Sequence, residues 1–212
     1  MSSSDISIVI PTYRRDAVLC DTVAALLRVP DRADEIVLID QTETHGVEAE
    51  ARLKAWSEAG AIRWIRQCPP GTTAAMNRGL REARADKVLF LDDDIVPAPD
   101  LVAGHRAAYV AHPEAWAVAG RVLQPEDPFA REAATGLSGR GRGVGLREDL
   151  EFPFNSSTGC WVANVMAGNL SVNRARALAV GGFDENFGPP VAFRFETEFA
   201  KRVVNAGGRI WF

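Results

Sequence analysis

The sequence predicts an α/β fold in which a mostly parallel, Rossmann-like sheet is flanked by helices. Short apolar runs rich in β-branched residues recur at nearly even intervals, and each can form a strand buried on both faces: 6–10, 35–39, 61–65 and 87–91. Stretches with the helical spacing of apolar residues separate these runs, at 16–28, 47–59 and 73–83. Strands and helices that alternate in this way predict parallel strands joined by right-handed crossovers.

The pattern becomes less regular after Asp94. A turn at 97–100 leads into a predicted helix over 101–112 and a strand over 117–123. Further order is predicted for the segment 160–166, for helices at 173–180 and 196–206 with a turn at 181–185, and for a strand from 209. Residues 135–147 contain five glycines and few apolar residues, which predicts a mobile loop. Because the sequence stops inside an apolar strand, we expect a truncated C-terminus.

Composition excludes several classes of protein. The chain has 212 residues, of which 47% are hydrophobic and 25% charged, as in ordinary soluble domains. A formal net charge of −4 gives no global positive field, so we expect no nucleic acid partner. Three widely spaced cysteines without a CxxC pair predict reduced packing residues of a cytoplasmic protein. No transmembrane segment is predicted, because none of the apolar runs reaches about 18 residues. A peripheral association with a membrane stays open.

Polar residues follow three of the predicted strands, at Pro11–Arg15, Asp40–Thr42 and Asp92–Asp94. In an open parallel sheet, ligands bind beyond the carboxyl ends of the strands, where these residues fall. The glycine-rich sequences GxGxxG and GxxxxGK[ST] are both missing. A phosphate at this edge would therefore need another source of positive charge.

The aspartate triplet is the candidate for that role. Three carboxylates at the tip of an apolar strand repel one another, and a hard divalent cation relieves the repulsion with help from substrate phosphate oxygens. Strand alternation places Asp92 and Asp94 on one side and Asp93 on the other, so we expect the first two to face a ligand together. The alternative is a solvated acidic turn whose last aspartate caps the next helix.

Five segments, in order, carry a resemblance to a known family: ISIVIPTYRR at 6–15, EIVLIDQT at 35–42, GTTAAMNRGL at 71–80, KVLFLDDDIVP at 87–97 and GGFDE at 181–185. Together they resemble the family 2 glycosyltransferases, which are inverting, contain a DxD motif and have the GT-A fold. The resemblance implies one domain over 1–212, with a nucleotide-sugar-binding half at 5–97 and a smaller acceptor and catalytic half at 98–212.

The resemblance also implies a donor site. Its donor-binding residues would be Pro11, Thr12, Tyr13, Arg15, Asp40, Asn77, Arg78, Asp92 and Asp93. Asp40 would accept a hydrogen bond from the base, which suits the ring N–H of uracil or thymine and favours a UDP- or dTDP-sugar. Asp94, with Asp92, would hold the cofactor, Mn²⁺ or Mg²⁺. The chain departs from the family at Met76, where many members have an arginine; Arg78 is the nearest substitute.

The catalytic base implied by the resemblance is Glu196, in the run Phe195–Phe199. The family usually has Glu-Asp here, so this chain has phenylalanine and glutamate in their places, and Glu198 is a competing candidate. The expected reaction is transfer of a sugar from a nucleotide-sugar donor to a hydroxyl of a saccharide or lipid-linked acceptor. The alternatives are a nucleotidyltransferase-type enzyme and a non-catalytic nucleotide-binding domain of the same fold.

Overall fold

The computed structural model describes residues 5–124, 154–188 and 193–212. The strands in these ranges are β1 (Ile6–Thr12), β2 (Glu35–Asp40), β3 (Arg63–Arg66), β4 (Lys87–Leu91), β5 (Ala115–Ala119), β6 (Trp161–Val162), β7 (Asn169–Asn173) and β8 (Arg209–Trp211). The helices are α1 (Asp16–Leu26), α2 (Val47–Glu58), α3 (Thr72–Glu82), α4 (Leu101–Ala111), α5 (Arg174–Ala179) and α6 (Phe195–Asn205). Within the described part of the chain, no helix has the length and apolarity that a membrane crossing demands.

All eight strands belong to one sheet, in the order β3-β2-β1-β4-β7-β5-β8-β6. The four strands β3, β2, β1 and β4 are mutually parallel, as the alternating pattern predicts. Strand β7 is antiparallel to both of its neighbours, β4 and β5, and β6 is antiparallel to β8. The predicted α/β class and mostly parallel sheet are thus confirmed.

Residue alternation along the strands fills two hydrophobic cores, one on each face of the sheet. In β1, Ile8 and Ile10 point to the face covered by α1, α2 and α4, while Val9 points to the face covered by α3, α5 and α6. Strand β4 divides in the same way, with Leu89 on the first face and Phe90 on the second. Burial on both faces explains why these strands are apolar at nearly every position.

The structure corrects the sequence-based elements mainly in the second half. Strand β7 was not predicted, because its sequence Asn-Leu-Ser-Val-Asn is polar at three of five positions. Its central Ser171 is fully buried, and its hydroxyl lies 2.8 Å from the Nδ1 atom of His105. Strand β5 ends at Ala119 rather than continuing to 123, and Cys68 is exposed rather than packed. The predicted loop at 135–147 lies outside the described residues.

Candidate active site

The three polar segments meet at one edge of the sheet. Strand β1 lies between β2 and β4, with Thr12 opposite Asp40 in one register and Val9 opposite Phe90 in the other. Since all three strands are parallel, their carboxyl ends lie side by side. The edge therefore brings the β1 loop next to the aspartate triplet, as the sequence predicted.

The aspartates form a turn rather than an extension of the strand. Strand β4 ends at Leu91, so the alternation that placed Asp92 and Asp94 on one side does not apply beyond it. Instead Asp93 and Asp94 both face Arg15, whose Nε lies 3.3 Å from Asp93 Oδ1 and whose Nη2 lies 2.5 Å from Asp94 Oδ2. The hydroxyl of Thr12, a buried residue, donates a 2.6 Å hydrogen bond to Asp93 Oδ2. The Thr12 hydroxyl thus holds the Asp93 carboxylate in place and is not available to a ligand in solvent.

Asp92 is exposed to solvent, although nearby protein atoms, including those of Gly168, partly desolvate its carboxylate. This desolvation, together with repulsion from Asp94 and Asp93, raises its pKa. An accumulation of negative charge that the protein only partly compensates suits a hard cation. Among the described residues, however, no group of three or more His, Cys, Asp or Glu side chains forms a ready metal site. The turn therefore fits a metal that takes one or two carboxylates and completes its shell with ligand oxygens.

Gly168, just before β7, makes the space that the Asp92 carboxylate occupies. A Cβ atom at this position would lie 2.3 Å from Asp92 Oδ2, far inside contact distance. We expect Gly168→Ala to displace the carboxylate and to weaken binding of Mn²⁺, the cation that the sequence predicts at this turn, at least tenfold, measured by calorimetry. The matched control is Gly104→Ala in α4, where nothing lies within 4 Å of the added Cβ and a helical glycine is replaced by a better helix former. Equal Mn²⁺ affinity of the two variants would show that the position of the Asp92 carboxylate is not important for metal binding.

Glu196 lies in the first turn of α6, on a half-buried surface. Burial raises its pKa, and the negative charge of Asp92 raises it further, while Arg194 opposes the shift. The helix is preceded by Arg194 in the left-handed backbone region, with φ of 66°, a conformation that is unusual for a residue with a side chain. Glu196 is therefore a carboxylate of increased basicity within electrostatic range of the aspartate turn.

Glu198, the competing candidate, has a structural partner. Its two oxygens accept hydrogen bonds from Arg202 Nε and Nη2 at 2.5 and 2.6 Å, and Arg202 Nη1 donates to the carbonyl of Val180. This bidentate pair joins α6 to the chain that follows α5. Since no ion pair of this kind holds Glu196 within the described ranges, the geometry favours Glu196 over Glu198 as the base.

Asn77 and Arg78 are not brought to the aspartate turn. Asn77 is buried and binds the backbone of Phe183 through both its amide oxygen and its amide nitrogen, and its nitrogen also reaches Glu185 Oε1. Arg78 is directed along α3 toward Glu82, to which its Nε donates at 2.8 Å. Glu82 in turn pairs with Arg63 at the amino end of β3, so Arg78 faces away from the carboxyl edge. Asn77 instead fixes the 181–185 turn.

Asp40 also differs from its expected role. It is 0% exposed, and its Oδ1 accepts from the backbone N–H of Thr42 while its Oδ2 accepts from Trp64 Nε1 at 2.7 Å. Oδ2 also lies 2.7 Å from His45 Nε2, and the other ring nitrogen of His45 lies 2.6 Å from Asp16 Oδ1. The structure therefore places Asp40 inside a buried network rather than on a surface that a base can reach.

Three consecutive residues of the β1 loop, Tyr13, Arg14 and Arg15, are exposed at this edge. The ring of Tyr13 is stacked with the guanidinium of Arg14, at 4.9 Å from the ring centre, and Tyr13 is 39% exposed. Pro11 is half-buried at the end of β1. Tyr13 and Arg15 are therefore the predicted donor-binding side chains of this loop that a ligand can contact directly.

Comparison with known proteins identifies the family of this chain. The model of the family described as Glycosyl transferase family 2 matches residues 7–178. The chain belongs to this family. The resemblance found in the five sequence segments is thereby confirmed, and the helices and mostly parallel sheet of this family 2 chain match those of the GT-A structures described next.

Two curated proteins have detectable sequence similarity to this family 2 chain. Validoxylamine A glucosyltransferase of Streptomyces hygroscopicus subsp. limoneus is 29% identical over 205 residues, which is 86% of this chain and 44% of that protein. Chondroitin synthase of Escherichia coli is 34% identical over 97 residues, which is 44% of this chain and 14% of that protein. The chain thus spans less than half the length of either relative.

Solved structures share the fold at lower identity. The structure of GalNAc-T7 with UDP, GalNAc and Mn²⁺ superposes with a TM-score of 0.74 at 17% identity, over 98% of this chain and 42% of that one. The mannosyltransferase PcManGT of Pyrobaculum calidifontis, in complex with GDP-Man and Mn²⁺, gives a TM-score of 0.65 at 19% identity, over 97% of this chain and 53% of that one. At these identities the similarity establishes the fold.

Two residues that shape the site, Gly168 and His45, contact partners that are distant or not evident in the sequence. Gly168 gives no signal in the sequence, because its effect depends on the approach of Asp92 from a distant strand. His45 lies in the loop after β2, and its ring bridges Asp16 and Asp40. The signal for this contact in the sequence is that His45 lies only five residues after Asp40. Burial alone would lower the pKa of His45, but hydrogen bonds to the two carboxylates outweigh it and raise the pKa.

Proposed function

We propose that this family 2 chain carries the catalytic site of a metal-dependent, inverting glycosyltransferase. The donor is a nucleoside-diphosphate sugar, and the acceptor is a hydroxyl of a glycan or a lipid-linked saccharide. Residues 5–97 supply the donor side, and residues 98–212 supply the acceptor side and the base. The observation that carries this proposal is the acidic turn at the carboxyl edge of the sheet, where Thr12 and Arg15 bind the carboxylates of Asp93 and Asp94. Glu196, in the first turn of α6, lies within electrostatic range of Asp92 in this turn.

The proximity of Glu196 to the aspartate turn matters because an inverting transfer needs two groups with different roles in one site. One group must accept the proton of the acceptor hydroxyl as it attacks the anomeric carbon, and the other must bind the diphosphate that leaves from the opposite face. Glu196 suits the first task, because burial raises its pKa and a carboxylate with a raised pKa is a stronger base. In this proposal the acceptor hydroxyl lies between the donor and Glu196, which is in the first turn of α6 and within electrostatic range of Asp92.

The aspartate turn suits the second task. Asp94, with Asp92 beside it, would hold a divalent cation, which supplies positive charge to the departing diphosphate. Thr12 and Arg15 bind the carboxylate of Asp93, which is therefore less available to the cation than those of its neighbours. Tyr13, exposed at the end of β1, offers its ring to the nucleotide.

Asp40 provides no argument about which nucleobase the donor carries, because both of its carboxylate oxygens already accept hydrogen bonds within the chain. The proposed preference for a UDP- or dTDP-sugar therefore rests on family resemblance. UDP is the first nucleotide to test, since it is bound in the GalNAc-T7 structure, and GDP is the second, since PcManGT holds GDP-Man.

The proposal is tested by calorimetric titration of UDP, dTDP and GDP into the chain, with and without Mn²⁺. We expect binding of one of them that requires Mn²⁺ and that falls at least tenfold in Asp94→Asn. The matched control is Asp100→Asn, an exposed aspartate before α4 whose side chain makes no capping hydrogen bond. Folded protein that binds none of the three would contradict the donor site. Formation of a nucleotide sugar from a sugar phosphate and a nucleoside triphosphate would favour the nucleotidyltransferase instead.

A further inference from the structure

The guanidinium of Arg15 forms ion pairs with two carboxylates of the aspartate turn. Its backbone is fixed just before α1, where its carbonyl accepts the N–H of Leu19 at 2.9 Å. From there the guanidinium reaches Asp93 Oδ1 at 3.3 Å and Asp94 Oδ2 at 2.5 Å. The same side chain therefore joins the β1 loop to both carboxylates.

A divalent cation on Asp94 would compete with this contact. The guanidinium already binds one of the two carboxylate oxygens of Asp94, and two positive charges a few ångströms apart repel each other. The pair is also easy to separate, because the side chains of Arg15 and Asp94 are 47% and 44% exposed. An ion pair so open to water is worth little free energy, so exchange for a cation is reversible.

We propose that Arg15 is an internal counter-ion, which neutralises the Asp93–Asp94 pair before a metal binds and leaves Asp94 when a divalent cation arrives. The contact with Asp93 keeps the arginine beside the site after the exchange. This inference rests on the proposed function, because it requires a divalent cation at Asp94.

The chain offers a matched control in the preceding residue. Arg14 has the same charge and lies in the same loop, but its guanidinium rests on the ring of Tyr13 rather than on a carboxylate. Replacing either arginine by glutamine removes one positive charge near the turn. Only the Arg15 substitution removes the direct contact.

The test is a titration with Mn²⁺ alone, without nucleotide, in which free Mn²⁺ is measured by electron paramagnetic resonance. We expect Arg15→Gln to bind Mn²⁺ about two- to fivefold more tightly than the unchanged chain, the range that loss of a competing exposed ion pair allows. Arg14→Gln is expected to bind within the error of the unchanged chain, and Asp94→Asn to lose the site.

The outcomes separate this inference from the proposed function. Equal affinities of the unchanged chain and Arg15→Gln, with Asp94→Asn deficient, would overturn the counter-ion role and leave the metal site in place. Weaker binding by Arg15→Gln would show that the arginine supports the metal, which also overturns the inference. If Mn²⁺ binds none of the folded proteins, with or without UDP, the metal-dependent function fails and the inference fails with it.

Discussion

Replacing Glu196 by glutamine is expected to slow sugar transfer by about 10²–10⁴-fold, the contribution of a positioned general base. Glutamine keeps the size and hydrogen-bonding shape of the side chain but cannot accept the proton of the acceptor hydroxyl. Nucleotide binding should persist, because the substitution removes a charge that repels Asp92 and leaves the aspartate turn intact. The measurement is release of nucleoside diphosphate from the donor in the presence of acceptor, alongside nucleotide affinity by calorimetry.

Glu198→Gln is the matched control for this substitution, two residues along the same helix. It weakens the bidentate pair with Arg202 and should therefore lower stability by about 1 kcal/mol, with transfer largely retained. The opposite result, with transfer lost in Glu198→Gln and kept in Glu196→Gln, would exchange the roles of the two glutamates. Thermal unfolding of both variants separates a catalytic loss from a folding defect.

The largest stability effect is expected for Asp40→Ala, with a loss of about 3–5 kcal/mol in the free energy of unfolding. Removing one member of a buried charged network leaves its partners unsatisfied. Here the indole N–H of Trp64 and the backbone N–H of Thr42 lose their acceptor, and His45 loses one of its two carboxylates. Urea unfolding followed by tryptophan fluorescence measures the change.

Asp21→Ala provides the comparison for a surface aspartate. Its side chain is 81% exposed and lies 3.9 Å from Arg52, so the substitution should change stability by no more than about 0.5 kcal/mol. A loss below about 1 kcal/mol for Asp40→Ala would mean that water or neighbouring groups replace the carboxylate. The network would then have no structural importance, and Asp40 would again be available for a ligand.

The first half of the fold was predictable because its strands are buried on both faces. The double burial of β1 and β4 demands apolar residues at successive positions, and such runs are visible in one sequence. Strand β7 could not be found in this way. Its buried Ser171 is satisfied by His105 and Tyr109 of α4, so the polar residue is compatible with the core only through partners far away in the chain.

The site was predictable in its location more than in its detail. The polar segments after β1 and β4 were located because ligands bind at the carboxyl edge of a parallel sheet. Which side chain faces which was not predictable, because the chain leaves the strand conformation at Asp92 and the period of two ends there. Asp40 and Asn77 show the same limit, since their partners, Trp64 and Phe183, are identified only by three-dimensional contact.

The position of β7 between β4 and β5 has a consequence for how the chain folds as it is synthesised. Strands β1 to β4 lie within the first 91 residues and can pair with one another as soon as they emerge. The other side of β4 pairs with residues 169–173. Its backbone N–H and C=O groups on that side therefore lack their strand partners while residues 92–168 are synthesised. An apolar strand with an unpaired side is a template for intermolecular pairing. We therefore expect the unpaired side of β4 to be exposed to other chains during that interval, until pairing with β7 covers it.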